Sequence, residues 1–351
     1  MKKILSQSIF TLFCCSFLIL LLFFSQECIS LASNGLLIWY KNMIPSLFPF
    51  MVLSGFMVRS GLSLKIGQWM QPLLGILFRL PSQMLYVIFM GFLCGFPMGA
   101  KIVADMLEKE QITRKEGEYL LAFCNNIGPL YMLGYVIPLF GYKNVWQVLG
   151  LMYLVPLGYG LVLRFYYFHN QRGNEPLSFP SIGSKYNSDF SKKQTDFELT
   201  SCSYHITESV NYLSCFQQSL SSAIEQITLL GGCMIFFNCI QIYPQILDQY
   251  FCTNSAYTYV SFFSDILCSL IEIGGGLKQL SGSASISNTA ISLYLPLFLL
   301  TFGGLSCIVQ TYFIIKKTGL KISTYMKHKV IQSWIYIVMF ITTFCHLSNI
   351  F

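Results

Sequence analysis

The chain alternates between long apolar blocks and short polar connections. Most blocks approach the roughly 20 residues that cross about 30 Å of hydrocarbon as a helix. The nine blocks run from Ile9 to Phe24, Ile44 to Val58, Met84 to Met106, Tyr119 to Phe140, Val145 to Phe168, Ile224 to Ile242, Tyr257 to Leu277, Ile286 to Ile315, and Val330 to Leu347. This pattern predicts an all-α, polytopic transmembrane helical bundle.

Composition agrees with the pattern. Of the 351 residues, 54% are hydrophobic and 11% are charged, whereas a soluble domain carries about 25% charged residues. The net charge of +7 is not one patch, because the basic residues lie mainly between the apolar blocks. That distribution is typical of loops on the cytoplasmic side, so we expect membrane lipid and a solute as partners, and no nucleic acid.

A long polar segment, residues 169–222, divides the chain and is expected to be an extramembrane loop. The expected domains are an N-terminal membrane half (1–168), this loop (169–222) and a C-terminal membrane half (223–351). The block from Ile9 to Phe24 is interpreted as a first transmembrane helix and not as a signal peptide, because no small-residue cleavage site follows it.

Charge placement predicts that the block from Met84 to Met106 folds back on itself. The segments 59–79 and 109–115 on either side are both basic, so both are expected on the cytoplasmic face. Helix-breaking residues interrupt the middle of the block, namely Gly91, Gly95, Pro97 and Gly99. We therefore expect a re-entrant hairpin, and a second one where the block from Tyr257 to Leu277 reaches Gly274, Gly275 and Gly276.

A weak internal similarity accompanies these breaks. A shift of 210 residues sets Phe92, Ile112 and Thr113 against Phe302, Ile322 and Ser323. Two interpretations stay open: a chance match, or an internal repeat of the kind common in secondary transporters.

The first candidate site combines a helix break at Gly95, Pro97 and Gly99 with a cation, Lys101, just beyond it. Freed backbone N–H groups and a positive charge would bind a carboxylate or phosphate, so the expected partner is a small anionic solute. In the alternative, Lys101 pairs with Asp105 one turn later and the glycines only allow close helix packing.

The second candidate site is Asn125, Asn126 and Gly128, followed by Pro129, inside an otherwise apolar block. Amides at membrane depth need partners. They either satisfy backbone groups freed by a break or bind the solute.

Carboxylates and one amide complete the candidates. Asp265 and Glu272 lie inside an apolar block, and Glu272 is the candidate for ion coupling, with a structural helix-end role as the alternative. Gln310 follows the glycine pair Gly303 and Gly304 and is a further candidate solute ligand. The glycines themselves are equally well explained by helix packing.

Enzymatic signatures are missing from the sequence. No H-E-x-x-H, G-x-S-x-G, Walker A or dinucleotide motif is present, and the thirteen cysteines form no C-x-x-C pair. We expect no enzyme, no cofactor and no metal site.

Together these motifs resemble the YlbJ-type family of sporulation integral membrane proteins, which carry a nucleoside recognition or Gate domain. The resemblance rests on Ile44 to Phe50, Pro72-Leu73, Gly95 to Lys101, Ile112-Thr113, Asn125-Asn126-x-Gly128-Pro129, Glu272-x-x-Gly275, and Phe302 to Ser306 with Gln310. One departure is Gly95-Phe96-Pro97, where the family pattern leads us to expect Gly-Tyr-Pro.

The resemblance implies a fold distantly similar to concentrative nucleoside transporters, in the mother-cell membrane around the forespore. It implies movement of dipicolinic acid, a small aromatic dicarboxylate, toward the spore, with Lys101, Asn125 and Asn126 as its contacts. Two other functions remain open: a non-transporting scaffold for assembly of the spore cortex or envelope, and a nucleoside carrier.

Overall fold

The computed structural model describes residues 2–168, 211–251, 257–282 and 289–348. Within these ranges every regular element is a helix. Five helices are long and apolar enough to cross a membrane, and a sixth crossing results if the bent pair Leu62–Phe78 and Ser82–Cys94 counts as one. The predicted all-α, polytopic membrane fold is therefore confirmed.

The N-terminal half contains α-helices and short π-helical turns. They are α1 (Lys2–Phe23), α2 (Ser25–Ile38), π1 (Trp39–Met43), α3 (Ile44–Arg59), α4 (Leu62–Met70), π2 (Gln71–Gly75), α5 (Ile76–Phe78), α6 (Ser82–Cys94), α7 (Met98–Glu108), α8 (Arg114–Cys124), α9 (Pro129–Tyr131), π3 (Met132–Val136), α10 (Ile137–Phe140) and α11 (Val145–Phe168).

The C-terminal half is built from α-helices. They are α12 (Tyr212–Ile240), α13 (Ile242–Phe251), α14 (Tyr257–Ile271), α15 (Ile273–Ser281), α16 (Thr289–Phe302), α17 (Gly304–Ile315) and α18 (Ile322–Ser348). Helix α12 begins at Tyr212, ten residues before the predicted end of the polar loop at 222. Residues 169–210 of that loop lie outside the described ranges.

The block from Met84 to Met106 folds back, as the glycines predict. Helices α6 and α7 are separated only by Gly95, Phe96 and Pro97. A methyl group added at Gly91 in α6 or at Gly99 in α7 would overlap the same atom, the carbonyl oxygen of Cys124. In one continuous helix these glycines would lie about 12 Å apart, so the two arms form a hairpin. Gly95 has φ +87°, which a side-chain-bearing residue rarely adopts.

A second hairpin joins α14 to α15, but its bend differs from the prediction. The helices are interrupted at Glu272, two residues before the glycine run. Gly276 lies inside α15, where an added methyl group would overlap the backbone of Ser269 on the other arm. The glycines therefore permit close packing of the arms, while the carboxylate of Glu272 makes the turn.

The order of elements repeats along the chain. In each half a hairpin (α6–α7, α14–α15) is followed by a broken helix (α8–α9, α16–α17) and then by a long helix (α11, α18). Met98 and Ile273, which begin the second arms, are 175 residues apart, and so are Pro129 and Gly304, which follow the breaks. The sequence match at a shift of 210 residues is not this repeat, because it aligns the first hairpin with the second broken helix; of the two interpretations left open for that match, a chance match fits.

Three basic segments lie at one end of the bundle. The Lys109 ammonium donates to the carbonyl of Val58 at 3.1 Å, and the Arg114 guanidinium donates to the carbonyl of Gly319. The basic segments that begin at Arg59, Lys109 and Lys316 thus share one end, as the charge distribution predicts.

Candidate functional site

A small cavity lies where both hairpin turns meet both helix breaks. It encloses about 30 Å³, which is room for water molecules only. The lining residues are Met43, Leu47, Phe96, Ile127, Gly128, Tyr131, Leu230, Met234, Glu272, Ile273, Cys307 and Gln310. Three predicted site residues, Gly128, Glu272 and Gln310, therefore meet at one place although they are far apart in sequence.

Backbone contacts between the turns and the breaks close this cavity. A side chain at Gly95 would overlap the backbone of Gly128, and one at Gly128 would come within 2.7 Å of the carbonyl oxygen of Cys94. Across the repeat, a methyl group at Gly303 would lie 3.2 Å from the ring of Phe96. Gly95, Pro97 and Gly99 thus shape the turn and its packing through the backbone.

Asn125 ties the first hairpin to the C-terminal half. Its Oδ1 accepts from the backbone N–H of Ala100 at 3.3 Å, and its Nδ2 donates to Thr311 Oγ1 at 3.2 Å and to the Tyr325 hydroxyl at 3.1 Å. The side chain satisfies a backbone group that the break leaves without a helical partner. This is the structural role, satisfying a freed backbone group, that the sequence left open as the alternative to solute binding.

Asn126 meets a buried cation that the sequence analysis did not select. Its Nδ2 donates to the carbonyl of Phe123 at 2.6 Å, and its Oδ1 accepts from Lys329 Nζ at 2.8 Å. Lys329 is 0% exposed. Its ammonium also lies 5.1 Å from the centre of the Phe96 ring and 5.9 Å from that of Tyr325.

Glu272 caps the second arm of the second hairpin. One carboxylate oxygen accepts from the N–H of Gly274 at 3.0 Å, and the other accepts from the N–H of Gly275 at 2.7 Å and from Asn238 Nδ2 at 2.9 Å. These donors stabilise a carboxylate that is 2% exposed. The carboxylate therefore has both the structural role at a helix end and a position on the cavity wall.

Two more polar residues line the cavity. Gln310 donates through Nε2 to Ser306 Oγ at 2.9 Å, one turn earlier on α17. The hydroxyl of Tyr131 is buried and has no hydrogen-bond partner among the described residues. An unpaired hydroxyl in an apolar wall is the kind of group that a bound polar solute would satisfy.

Lys101 lies apart from the cavity. Its ammonium pairs with Asp105 Oδ1 at 2.5 Å, the alternative that the sequence left open. Both side chains line a separate pocket with Arg59 and Ser222. Close by, partial burial and the neighbouring Arg59 lower the pKa of Lys109. Contact of Lys101 with a solute, predicted for one central site with Asn125 and Asn126, stays a prediction, and Lys101 is not among the residues that line the central cavity.

Comparison with known proteins agrees with the motifs. Residues 40–143, which contain the first hairpin and the first break, match the nucleoside recognition family, Gate. Over 333 residues the chain is 26% identical to the sporulation integral membrane protein YlbJ of Bacillus subtilis (strain 168), covering 90% of this chain and 77% of that protein. The chain is thus similar to YlbJ along most of its length. No solved structure matches it.

The similarity to YlbJ confirms the predicted resemblance, but the structure adds residues that motif reasoning missed. The apolar pattern places Lys329 just before the last block, which begins at Val330, whereas the residue lies inside α18. The spacing of polar and aromatic residues is a sequence signal for a helix there, and the structure shows that all of them are buried: Tyr325, Lys329, Gln332, Ser333 and Tyr336. Tyr131 gave no such signal, since an aromatic residue in an apolar block is ordinary.

Proposed function

We propose that this protein is a secondary transporter that carries a small anionic solute across a membrane during sporulation. The observation that carries the proposal is the convergence of two hairpin turns and two helix breaks on one mainly apolar cavity that three polar side chains, Tyr131, Glu272 and Gln310, also line. Broken backbone at membrane depth is tolerated where it is buried in protein or lines a cavity, and transporters place solute sites at such breaks.

The cavity is small in this conformation. At about 30 Å³ it cannot hold a drug-sized solute, which needs some hundreds of cubic ångströms. A transport cycle would open it by separating a hairpin turn from the break it contacts, for example Gly95 from Gly128. Because these contacts are backbone against backbone, a hairpin would move as a unit.

Dipicolinate is the solute we propose, moving from the mother cell toward the forespore across the membrane that surrounds the forespore. The support is the similarity to a protein named for sporulation, together with the buried ammonium of Lys329 beside the first break. A buried cation favours a solute that brings negative charge.

Glu272 is proposed as the coupling group, because a buried carboxylate that lines a transport cavity can exchange a cation or a proton. Its present partners are all uncharged N–H donors. We propose no cofactor and no metal in this cycle.

A nucleoside carrier is the second candidate. It is favoured by the description of the matched family and by the cavity wall itself, where the Gln310 amide and the Tyr131 hydroxyl could hydrogen-bond a base or ribose. A third possibility, a scaffold for envelope assembly, requires no solute at all.

One experiment separates the three functions. Purified protein is reconstituted in lipid vesicles, and uptake of radiolabelled dipicolinate is measured with unlabelled dipicolinate or uridine as competitor. We expect saturable uptake that dipicolinate inhibits and uridine does not. Inhibition by uridine would favour the nucleoside carrier. If neither solute is taken up or bound, the scaffold is the function that remains.

A further inference from the structure

Lys329 presents a charge problem that the described residues do not solve. The side chain is completely buried, and moving an ammonium out of water costs several kcal/mol unless it is paired. Ion pairs join Lys101 to Asp105 and Arg114 to Glu118, and within the described part of the chain no carboxylate pairs with Lys329. The charge is therefore without an anion in this conformation.

The hydrogen bonds of Lys329 are also incomplete. An ammonium has three N–H donors, and one of them goes to Asn126 Oδ1 at 2.8 Å. The faces of Phe96 and Tyr325 stabilise the charge through their ring electrons but accept no conventional hydrogen bond. Among the described residues the other two donors have no hydrogen-bond acceptor, and two is the number that the two oxygens of a carboxylate can accept.

Phe96 contacts this ammonium and also belongs to the wall of the central cavity. Its ring centre lies 5.1 Å from Lys329 Nζ, and the residue lines the cavity. The ring belongs to the turn of the first hairpin, which is the element that must move if the cavity opens. Displacing the turn would therefore expose the ammonium to a solute in the cavity.

We propose that Lys329 is the carboxylate-binding group of the solute site, with Asn126 positioning its ammonium and Phe96 covering it until a solute enters. This deepens the proposed function and rests on it. The ligand class is a small organic carboxylate, and the anion contact moves from Lys101, which Asp105 neutralises, to Lys329.

A structural role for Lys329 is the competing explanation. The ammonium lies near the end of α8, where a positive charge stabilises the last carbonyl groups of a helix. In that case the charge would support the break and would not contact a solute. A neutral side chain of similar length distinguishes the two roles: it weakens ligand binding if Lys329 contacts the solute, and it leaves ligand binding unchanged if Lys329 only supports the break.

The test is ligand-induced thermal stabilisation of the purified full-length protein by dipicolinate, benzoate, acetate and uridine. Lys329→Met removes the charge and keeps the length, Lys329→Arg keeps the charge, and Lys278→Met is the matched control, because Lys278 also donates to an asparagine side chain but lies at the surface. We expect Lys329→Met to weaken dipicolinate binding by about tenfold or more, and Lys278→Met to bind as the wild type does.

The variant's own melting temperature does not separate the two roles. Lys329→Met leaves the buried Asn126 Oδ1 without its donor, so a lower melting temperature without ligand is expected for both roles. A purely structural ammonium predicts that the dipicolinate-induced shift of the folded variant equals that of the wild type, whereas a solute contact predicts that the shift is lost. Unchanged dipicolinate binding by Lys329→Met would overturn the inference.

The outcomes also separate the inference from the proposed function. Suppose that benzoate or acetate, but not dipicolinate, stabilises the wild type and that Lys329→Met loses that effect. Dipicolinate is then rejected as the solute, and Lys329 is retained as the carboxylate-binding group. If only uridine stabilises the wild type, or no probe does, both are rejected.

Discussion

Gly91 and Gly99 lie on opposite arms of the first hairpin, and both contact the carbonyl oxygen of Cys124, the last residue of α8. The hairpin and the first helix break are therefore one packed unit. Neither arm has room for a methyl group at the contact, so the fold-back and the break depend on each other.

Gly99→Ala should destabilise the protein by about 1–3 kcal/mol, because the added methyl group meets backbone atoms of Cys124 and Asn125. Gly158→Ala is the control, since nothing lies within 4 Å of a methyl group at that position in α11. Alanine there should be neutral or stabilising by up to about 1 kcal/mol. Thermal unfolding in detergent measures both, and equal effects would argue against the packed unit.

Two tyrosines one turn apart should respond differently to loss of the hydroxyl. Tyr131→Phe removes a buried hydroxyl without a described partner, so stability should stay the same or rise. Tyr135→Phe breaks a 2.8 Å hydrogen bond to the carbonyl of Gly274 and should cost about 1 kcal/mol. Only Tyr131→Phe should also weaken solute binding. If binding is unchanged, the hydroxyl does not face the solute.

Glu272→Ala and Thr113→Ala each remove a side chain that caps a helix, at Gly274 and Gly275 in one case and at Glu116 in the other. Both should lower stability by about 1 kcal/mol. Only Glu272→Ala should abolish the dependence of uptake on a sodium or proton gradient. The measurement is vesicle uptake with and without each gradient, and retained gradient dependence would remove Glu272 from the coupling role.

Single cysteines at Ser60, Lys115 and Lys317 should be labelled from one face of the membrane, because their segments lie at one end of the bundle. A cysteine at Lys143, which follows the apolar helix Arg114–Phe140, should be labelled from the opposite face. An impermeant maleimide with peptide-resolved mass spectrometry distinguishes them from the native thiols. Labelling of positions 60 and 115 from opposite faces would rule out the re-entrant hairpin.

The breaks at Gly95 to Gly99 and Asn125 to Gly128 could be predicted from sequence, because glycine, proline and asparagine act on the local backbone. The second bend was placed too late, at the glycines, because a carboxylate that caps its own turn resembles an ordinary charged residue. The Glu272 side chain accepts from the N–H groups of Gly274 and Gly275, which are oriented toward it only once α15 forms.

The burial of Lys329 could not be predicted from local charge. A lysine that ends a basic segment is expected in a loop, and its burial depends on Phe96 and Asn126, more than 200 residues earlier in the chain. Sequence selected Lys101 as a candidate anion contact because it follows a helix break. The ion pair with Asp105, four residues later, is the alternative that the sequence left open.

Cys307 tests the central claim most directly, because this native thiol lines the cavity beside Gln310. Alkylation by N-ethylmaleimide is followed peptide by peptide in reconstituted protein, with the exposed Cys15 as internal control. We predict that dipicolinate slows alkylation of Cys307 and leaves Cys15 unchanged. Alkylation of Cys307 at the same rate with and without dipicolinate, in vesicles that accumulate it, would contradict a solute site at the hairpin turns.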